Sequence, residues 1–191
     1  MNEPRDPLID GQAEAVLQPV RSARASTDGA LAIIYAERRT ELFGFLVGMT
    51  RDREAAEELL QDTFVRLIRE TRAGRPPSDV RPWLYRVAAN AAISRGRRGR
   101  VALRALPRLF ERPEVAPPEG EILRREQHAA LRATLANLAP DGRAALLLAA
   151  QGFDGREIAA AIGRSEGATR TLLCRSRVRL RLLLETGEGQ P

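Results

Sequence analysis

Residues 154–177 hold the densest set of side chains suited to recognition chemistry. They read Asp154-Gly-Arg-Glu157-Ile158-Ala159-Ala-Ala-Ile162-Gly163-Arg164-Ser165-Glu-Gly167-Ala-Thr-Arg170-Thr171-Leu-Leu-Cys-Arg175-Ser-Arg177. The forked guanidinium matches phosphate oxygens and the acceptor edge of guanine, whereas an ammonium meets them as a point charge. Bond-making chemistry has no comparable support. Cys174 is the only cysteine and His128 the only histidine. A disulfide framework within the chain and a Cys/His zinc site are therefore excluded. No serine–histidine–carboxylate set and no glycine-rich phosphate loop occurs. The expectation is recognition without catalysis, with no catalytic residue, no metal and no cofactor.

Local sequence predicts how this segment folds. Asp154 and Glu157 are spaced as a capping box. Ile158, Ala159 and Ile162 give a short helix one apolar face, and Ala159 and Ala160 are small enough for close helix approach. Gly163 supplies a left-handed turn residue, and Ser165 can cap the next helix. This is the build of a helix-turn-helix, whose second helix enters the major groove. On a wheel of that helix, Thr169, Leu173, Ser176, Leu180 and Leu184 fall on the inward side. Arg170, Cys174, Arg177 and Arg181 share another side, with Thr171 and Arg175 beside it. An Arg-rich solvated face is the alternative that wheel and turn leave open.

The surrounding chain reads as helical throughout. Of its 191 residues, 43% are hydrophobic, 29% charged and 4% aromatic, so the cores are built mainly from Leu, Ala, Val and Ile. All basic residues apart from His128 are Arg, and the net charge of +6 favours a polyanionic partner. The longest apolar run, Ala144 to Ala150, is too short to span a bilayer. The polar N-terminus does not resemble a signal peptide, and the expectation is a cytoplasmic protein without membrane insertion.

Residues 1–28 read as a flexible tail. Leu31, Ile34, Tyr35, Leu42, Phe45, Leu46 and Met49 recur at helical spacing, with Asp28 as the expected N-cap. Asp52 caps a second helix carrying Ala56, Leu59, Leu60, Phe64, Leu67 and Ile68, which stops at Gly74 before Pro76 and Pro77. A third helix starts near Pro82, runs to about Arg95 and dissolves in Gly96-Arg97-Arg98-Gly99-Arg100. Proline-bearing residues 101–120 read as a flexible linker, with a short helical piece around Leu103 to Phe110. Helices are then expected from Glu119 to Asn137, Pro140 to Gln151, Gly155 to Ile162 and Glu166 to Glu185, before a tail at 187–191. The fold class is all-α, with two small helical domains at 29–100 and 121–186.

Together the two blocks resemble the extracytoplasmic-function (group 4) sigma factors of the sigma-seventy family. The strings that carry the likeness are Asp52-Arg-Glu-Ala-Ala56-Glu57-Glu58-Leu59-Leu60-Gln61-Asp62-Thr63-Phe64-Val65-Arg66-Leu67, Pro82-Trp83-Leu84-Tyr85-Arg86-Val87-Ala88-Ala89-Asn90 and Leu138-Ala-Pro140-Asp-Gly-Arg143, followed by Leu146 to Leu148 and the helix-turn-helix. The resemblance implies a factor that binds core RNA polymerase and directs promoter-specific initiation. It places docking on the polymerase clamp at Glu58, Gln61 and Asp62. It places minus-ten recognition at Arg86, Asn90 and Ser94, with Arg95, Arg97, Arg98 and Arg100 on phosphates. It places minus-thirty-five readers at Arg170, Thr171 and Arg175, with Arg164, Ser165, Gly167 and Arg177 along the same surface. Trp83 reads as a structural anchor before a stacking platform.

The family often has Asp where Ser94 stands and Arg where Leu172 stands. Leu172 is expected to extend the core. An inhibitory anti-sigma partner is also implied. A stand-alone helix-turn-helix regulator leaves the acidic helix around Glu54 to Asp62 without a role. A sigma mimic that binds an anti-sigma partner is disfavoured by Arg170 and Arg175.

Overall fold

The computed structural model describes the backbone of residues 7–105 and 134–185, and side chains at 26–98 and 134–185. It is all-α, with no strand among the described residues. The helices are α1 (Pro7–Thr50), α2 (Arg53–Arg72), α3 (Val80–Ala105), α4 (Pro140–Ala150), α5 (Gly155–Ile162) and α6 (Glu166–Glu185). Residues 134–136 close a further helix whose earlier part, expected from Glu119, lies outside the described residues, as do most of the linker and the 187–191 tail.

The chain forms two compact units, Met1–Thr40 and Glu41–Pro191. Both helical blocks read from sequence have their cores in the second unit. α1 begins at Pro7, so Asp28 lies inside a helix rather than capping one, and 7–28 is helical rather than an irregular tail. Strong helix formers in Gln12-Ala-Glu-Ala-Val-Leu-Gln18 account for the early start. Burial begins only at Leu42: Ile33 and Tyr35 are exposed, and Leu31 and Ile34 are half-buried.

In the second unit Leu42, Phe45, Leu46 and Met49 of α1 are buried, as are Ala55, Ala56, Leu59, Leu60, Phe64 and Leu67 of α2. Asp52 caps α2 by accepting the N–H groups of Glu54 and Ala55 at 3.0 and 3.1 Å, and Gly74 turns the chain at φ +73 just after it ends. α3 does not dissolve at Gly96; it continues to Ala105. A Cβ at Gly96 would lie 3.2 Å from the Pro140 ring, so the glycine permits close packing against the second block. That tertiary contact outweighs a low helix propensity.

α3 buries more than one stripe. Leu84, Tyr85, Ala88, Ala89, Ala92 and Ile93 are all buried, because α3 packs on α2 and also on α4 and α5. α4 and α5 in turn pack on α6. At the α4–α6 crossing a Cβ on Gly142 would meet Ser176 Oγ at 2.5 Å, so any larger residue there would displace the Ser176 side chain. Thr169 and Ser176 face inward as expected, but the last turn of α6 buries Leu183 and exposes Leu184. Leu183 joins Leu135 and Leu138, a contact the wheel of α6 alone does not contain.

The buried Thr169 hydroxyl has no hydrogen-bond partner among the described residues. Thr169→Val keeps the shape and removes an unsatisfied donor. It is expected to leave stability unchanged or raise it by about 1 kcal/mol in urea unfolding, and a clear loss would place a partner on that hydroxyl.

Candidate nucleic-acid and polymerase interfaces

The helix-turn-helix forms through its local signals. Asp154 Oδ1 accepts the Glu157 N–H and Glu157 Oε2 accepts the Asp154 N–H, each at 2.8 Å, completing the capping box. Gly163 adopts φ 68 and ψ 42, and its N–H reaches the Ala159 carbonyl. Ser165 Oγ accepts the Ala168 N–H at the start of α6. Ile158, Ala159, Ala161 and Ile162 are buried, whereas Ala160 is exposed, so Ala161 rather than Ala160 contributes to the close approach.

Outside the core, Gly167, Arg170, Thr171, Cys174, Arg175, Arg177 and Arg181 are exposed along α6. Arg170, Arg175 and Arg177 form no ion pair among the described residues. Leu172 is half-buried and approaches Gly142, so it extends the core.

On α3 the expected base- and phosphate-facing residues Arg86, Asn90, Ser94, Arg95, Arg97 and Arg98 are all exposed. Asp79 starts the helix by accepting the Arg81 N–H at 3.1 Å, and Pro82 occupies the first turn, where its missing donor costs nothing. Trp83 is half-buried, consistent with an anchoring role. On α2, Glu58, Gln61 and Asp62 are exposed beside Val65, which is 42% exposed. Arg95 Nη1 lies 2.8 Å from Glu58 Oε2, linking this acidic face to the basic end of α3.

Residues 34–101 match the family described as Sigma-70 region 2, and residues 128–180 match Sigma-70, region 4. The chain is similar to the sigma factor CarQ of Myxococcus xanthus, 34% identical over 163 residues that make up 84% of this chain and 92% of the relative. The chain belongs to the extracytoplasmic-function sigma factors of the sigma-70 family. The factor SigE of Mycolicibacterium smegmatis is 33% identical over 151 residues, or 77% of this chain, and the match spans 57% of that longer relative. Among solved structures, the sigma factor RpoE of Bartonella quintana, in complex with the anti-sigma factor NepR, superposes with a TM-score of 0.63 at 25% identity, covering 81% of this chain and 96% of that one. CnrH, in complex with the cytosolic domain of CnrY, shares the fold with a TM-score of 0.62.

A sigma factor selects promoters and leaves nucleotidyl transfer to the polymerase, which agrees with the lack of a catalytic set in this sequence. No helix among the described residues is long and apolar enough to cross a membrane.

The structure joins residues of this sigma factor that sequence spacing kept apart. Arg97, on α3, donates from Nη2 to both carboxylate oxygens of Asp141 at 2.9 Å. Arg164, in the turn before α6, donates to Asp141 Oδ2 through Nε at 3.2 Å and again through Nη2. Burial alone would push the Asp141 carboxyl up. Hydrogen bonds from Arg164 and Arg97, with their charges, outweigh it and hold the group below the usual carboxylate value.

Arg143 ties the same seam, donating to the carbonyls of Leu135 and Ala136 and reaching the Met49 carbonyl at the end of α1. Cations suit such helix C-termini. Sequence spacing alone does not single out Asp141 and Arg143 as site-organising residues, although both stand in the Leu138–Arg143 string.

Proposed function

We propose that this chain binds core RNA polymerase through Glu58, Gln61 and Asp62 and directs initiation at promoters of two elements. Arg86, Asn90 and Ser94 meet the minus-ten element, and Arg95, Arg97 and Arg98 hold its phosphates. Arg170, Thr171 and Arg175 read the minus-thirty-five duplex, while Arg164, Ser165, Gly167 and Arg177 approach its backbone. The observation that carries this reading is the exposed arginine side of α6, without an ion pair among the described residues and with Ser165 at its N-terminus, present in one chain with an exposed acidic face on α2. The anti-sigma complex of the Bartonella relative supports an anti-sigma partner for this chain as well. Its place of action is the cytoplasm, where the polymerase is.

The test is run-off transcription with purified core polymerase and a promoter library, with promoter-specific transcripts expected only when the chain is added. Binding to core without such transcripts would instead fit a sigma mimic. At the reader helix, Arg175→Ala is expected to weaken duplex binding by about 1–3 kcal/mol and to flatten its salt dependence. Unchanged affinity and slope would remove Arg175 from the readers.

A further inference from the structure

The two promoter-reading elements are packed together in this structure. α3 lies against α5, and α5 against α6. Each packed helix pair has axes about 8–10 Å apart, which keeps α3 within roughly 20 Å of α6. The minus-ten and minus-thirty-five elements are 25 base pairs apart, or about 85 Å at 3.4 Å per step. The arrangement seen here therefore cannot engage both elements of one duplex, and initiation requires the blocks to separate.

The polar part of the seam is built from groups that the promoter would use. Asp141 is 6% exposed and receives Arg97 from one block and Arg164 from the other. Those side chains remain 60% and 42% exposed, within reach of competing phosphates. A guanidinium bonded to a carboxylate presents fewer donors to phosphate, and the fixed negative charge lowers the local attraction for a polyanion. Around this pair of bonds Gly96 meets Pro140, and Arg81 Nη2 donates to the Gln151 carbonyl at 2.7 Å.

We propose that Asp141 is an autoinhibitory latch that holds the two blocks closed by occupying Arg97 and Arg164, one DNA-facing arginine from each promoter-reading element. The latch rests on the sigma-factor reading for its biological meaning, whereas the closed packing is read from this chain's own contacts. Promoter phosphates and Asp141 compete for the same guanidinium groups. DNA engagement and opening are thus coupled, and apparent affinity is reduced by the fraction of chains that remain closed.

The test measures the distance between spin labels on Arg69→Cys and Arg179→Cys in a full chain carrying Cys174→Ser. Asp141→Asn is expected to enlarge the long-distance population several-fold over the parent. It is also expected to tighten binding to a non-specific 30-base-pair duplex by about tenfold, the scale of losing one charge-assisted hydrogen-bonded pair. Glu166→Gln removes an equal charge near the reader helix without breaking the Asp141 pairs, so a small affinity gain and an unaltered distance are expected.

If Asp141→Asn loses helical structure, Arg97→Met at an exposed position replaces it, with the same opening expected and DNA affinity lowered. Unchanged distances in the folded variants, or an affinity gain equal to that of Glu166→Gln, would overturn the latch. Absence of run-off transcription with an intact distance response would overturn the functional reading and leave the latch standing.

Discussion

Tyr85→Ala is expected to lower the unfolding free energy of the full chain by about 3–5 kcal/mol. Against a typical total of about 5–15 kcal/mol, this is the largest effect of any single substitution considered. Tyr85 is 1% exposed, with its ring edge-on to Phe45 at 5.2 Å between centroids and tilted on Phe153 at 4.9 Å. Its hydroxyl reaches Gln151 Oε1 at a long 3.3 Å. Arg81 covers the cluster from outside, with its guanidinium carbon 4.4 Å from the Phe153 centroid and 5.6 Å from that of Tyr85.

Truncation leaves a ring-sized void where α1, α3 and the turn after α4 meet, and it removes both aromatic contacts. Tyr85→Phe keeps the rings and removes the hydroxyl with its long hydrogen bond, for an expected loss of about 0.5–1.5 kcal/mol. Urea unfolding followed by helical circular dichroism separates the two. Equal midpoints for Tyr85→Ala and Tyr85→Phe would show that the ring does not join the blocks.

The features legible in the sequence are those encoded locally. α5 starts and stops, and α6 starts, where a capping box, a left-handed glycine and a serine cap place them, because each signal acts within a few residues. The exposed arginine side of α6 follows from the same wheel. α3 is less legible because it has core contacts on more than one side. Leu84, Val87, Ala88 and Ala91 make one stripe, of which Val87 and Ala91 are only half-buried, whereas Tyr85, Ala89, Ala92 and Ile93 look like surplus apolar residues until a second block is packed on them. The extension of α3 through Gly96 has the same origin, since Pro140 fills the space above that glycine.

Asp141 shows the limit most clearly. Its partners are 44 and 23 residues away in sequence, and local sequence marks each arginine as polar surface without identifying the carboxylate it meets. Exposure of a charged residue follows from its own helix, whereas its pairing follows from the tertiary fold.

Glu58, Gln61 and Asp62 form an acidic face on a chain of net charge +6, so its attraction for a basic groove is local and not a consequence of overall charge. Glu58 is already held by Arg95, a surface pair that leaves less of its charge for a partner. Asp62 is one helical turn from Glu58 and lies beside the exposed Val65, a charged group next to an apolar contact, as expected near the centre of an interface.

Reversing Asp62 should therefore lower affinity for core polymerase by about 2–5 kcal/mol at low salt, roughly thirty-fold or more. The loss should shrink as salt screens the repulsion, and Asp62→Asn should show a smaller part of it. Binding of the same full chain to a minus-thirty-five duplex should not change, because that surface belongs to α6. Equal core affinity across the salt range would remove Asp62 from the docking face. A parallel loss of duplex binding would mean that the substitution disturbs the Tyr85–Phe153 seam instead, and the stability of the variant, measured as for Tyr85→Ala, would reveal it.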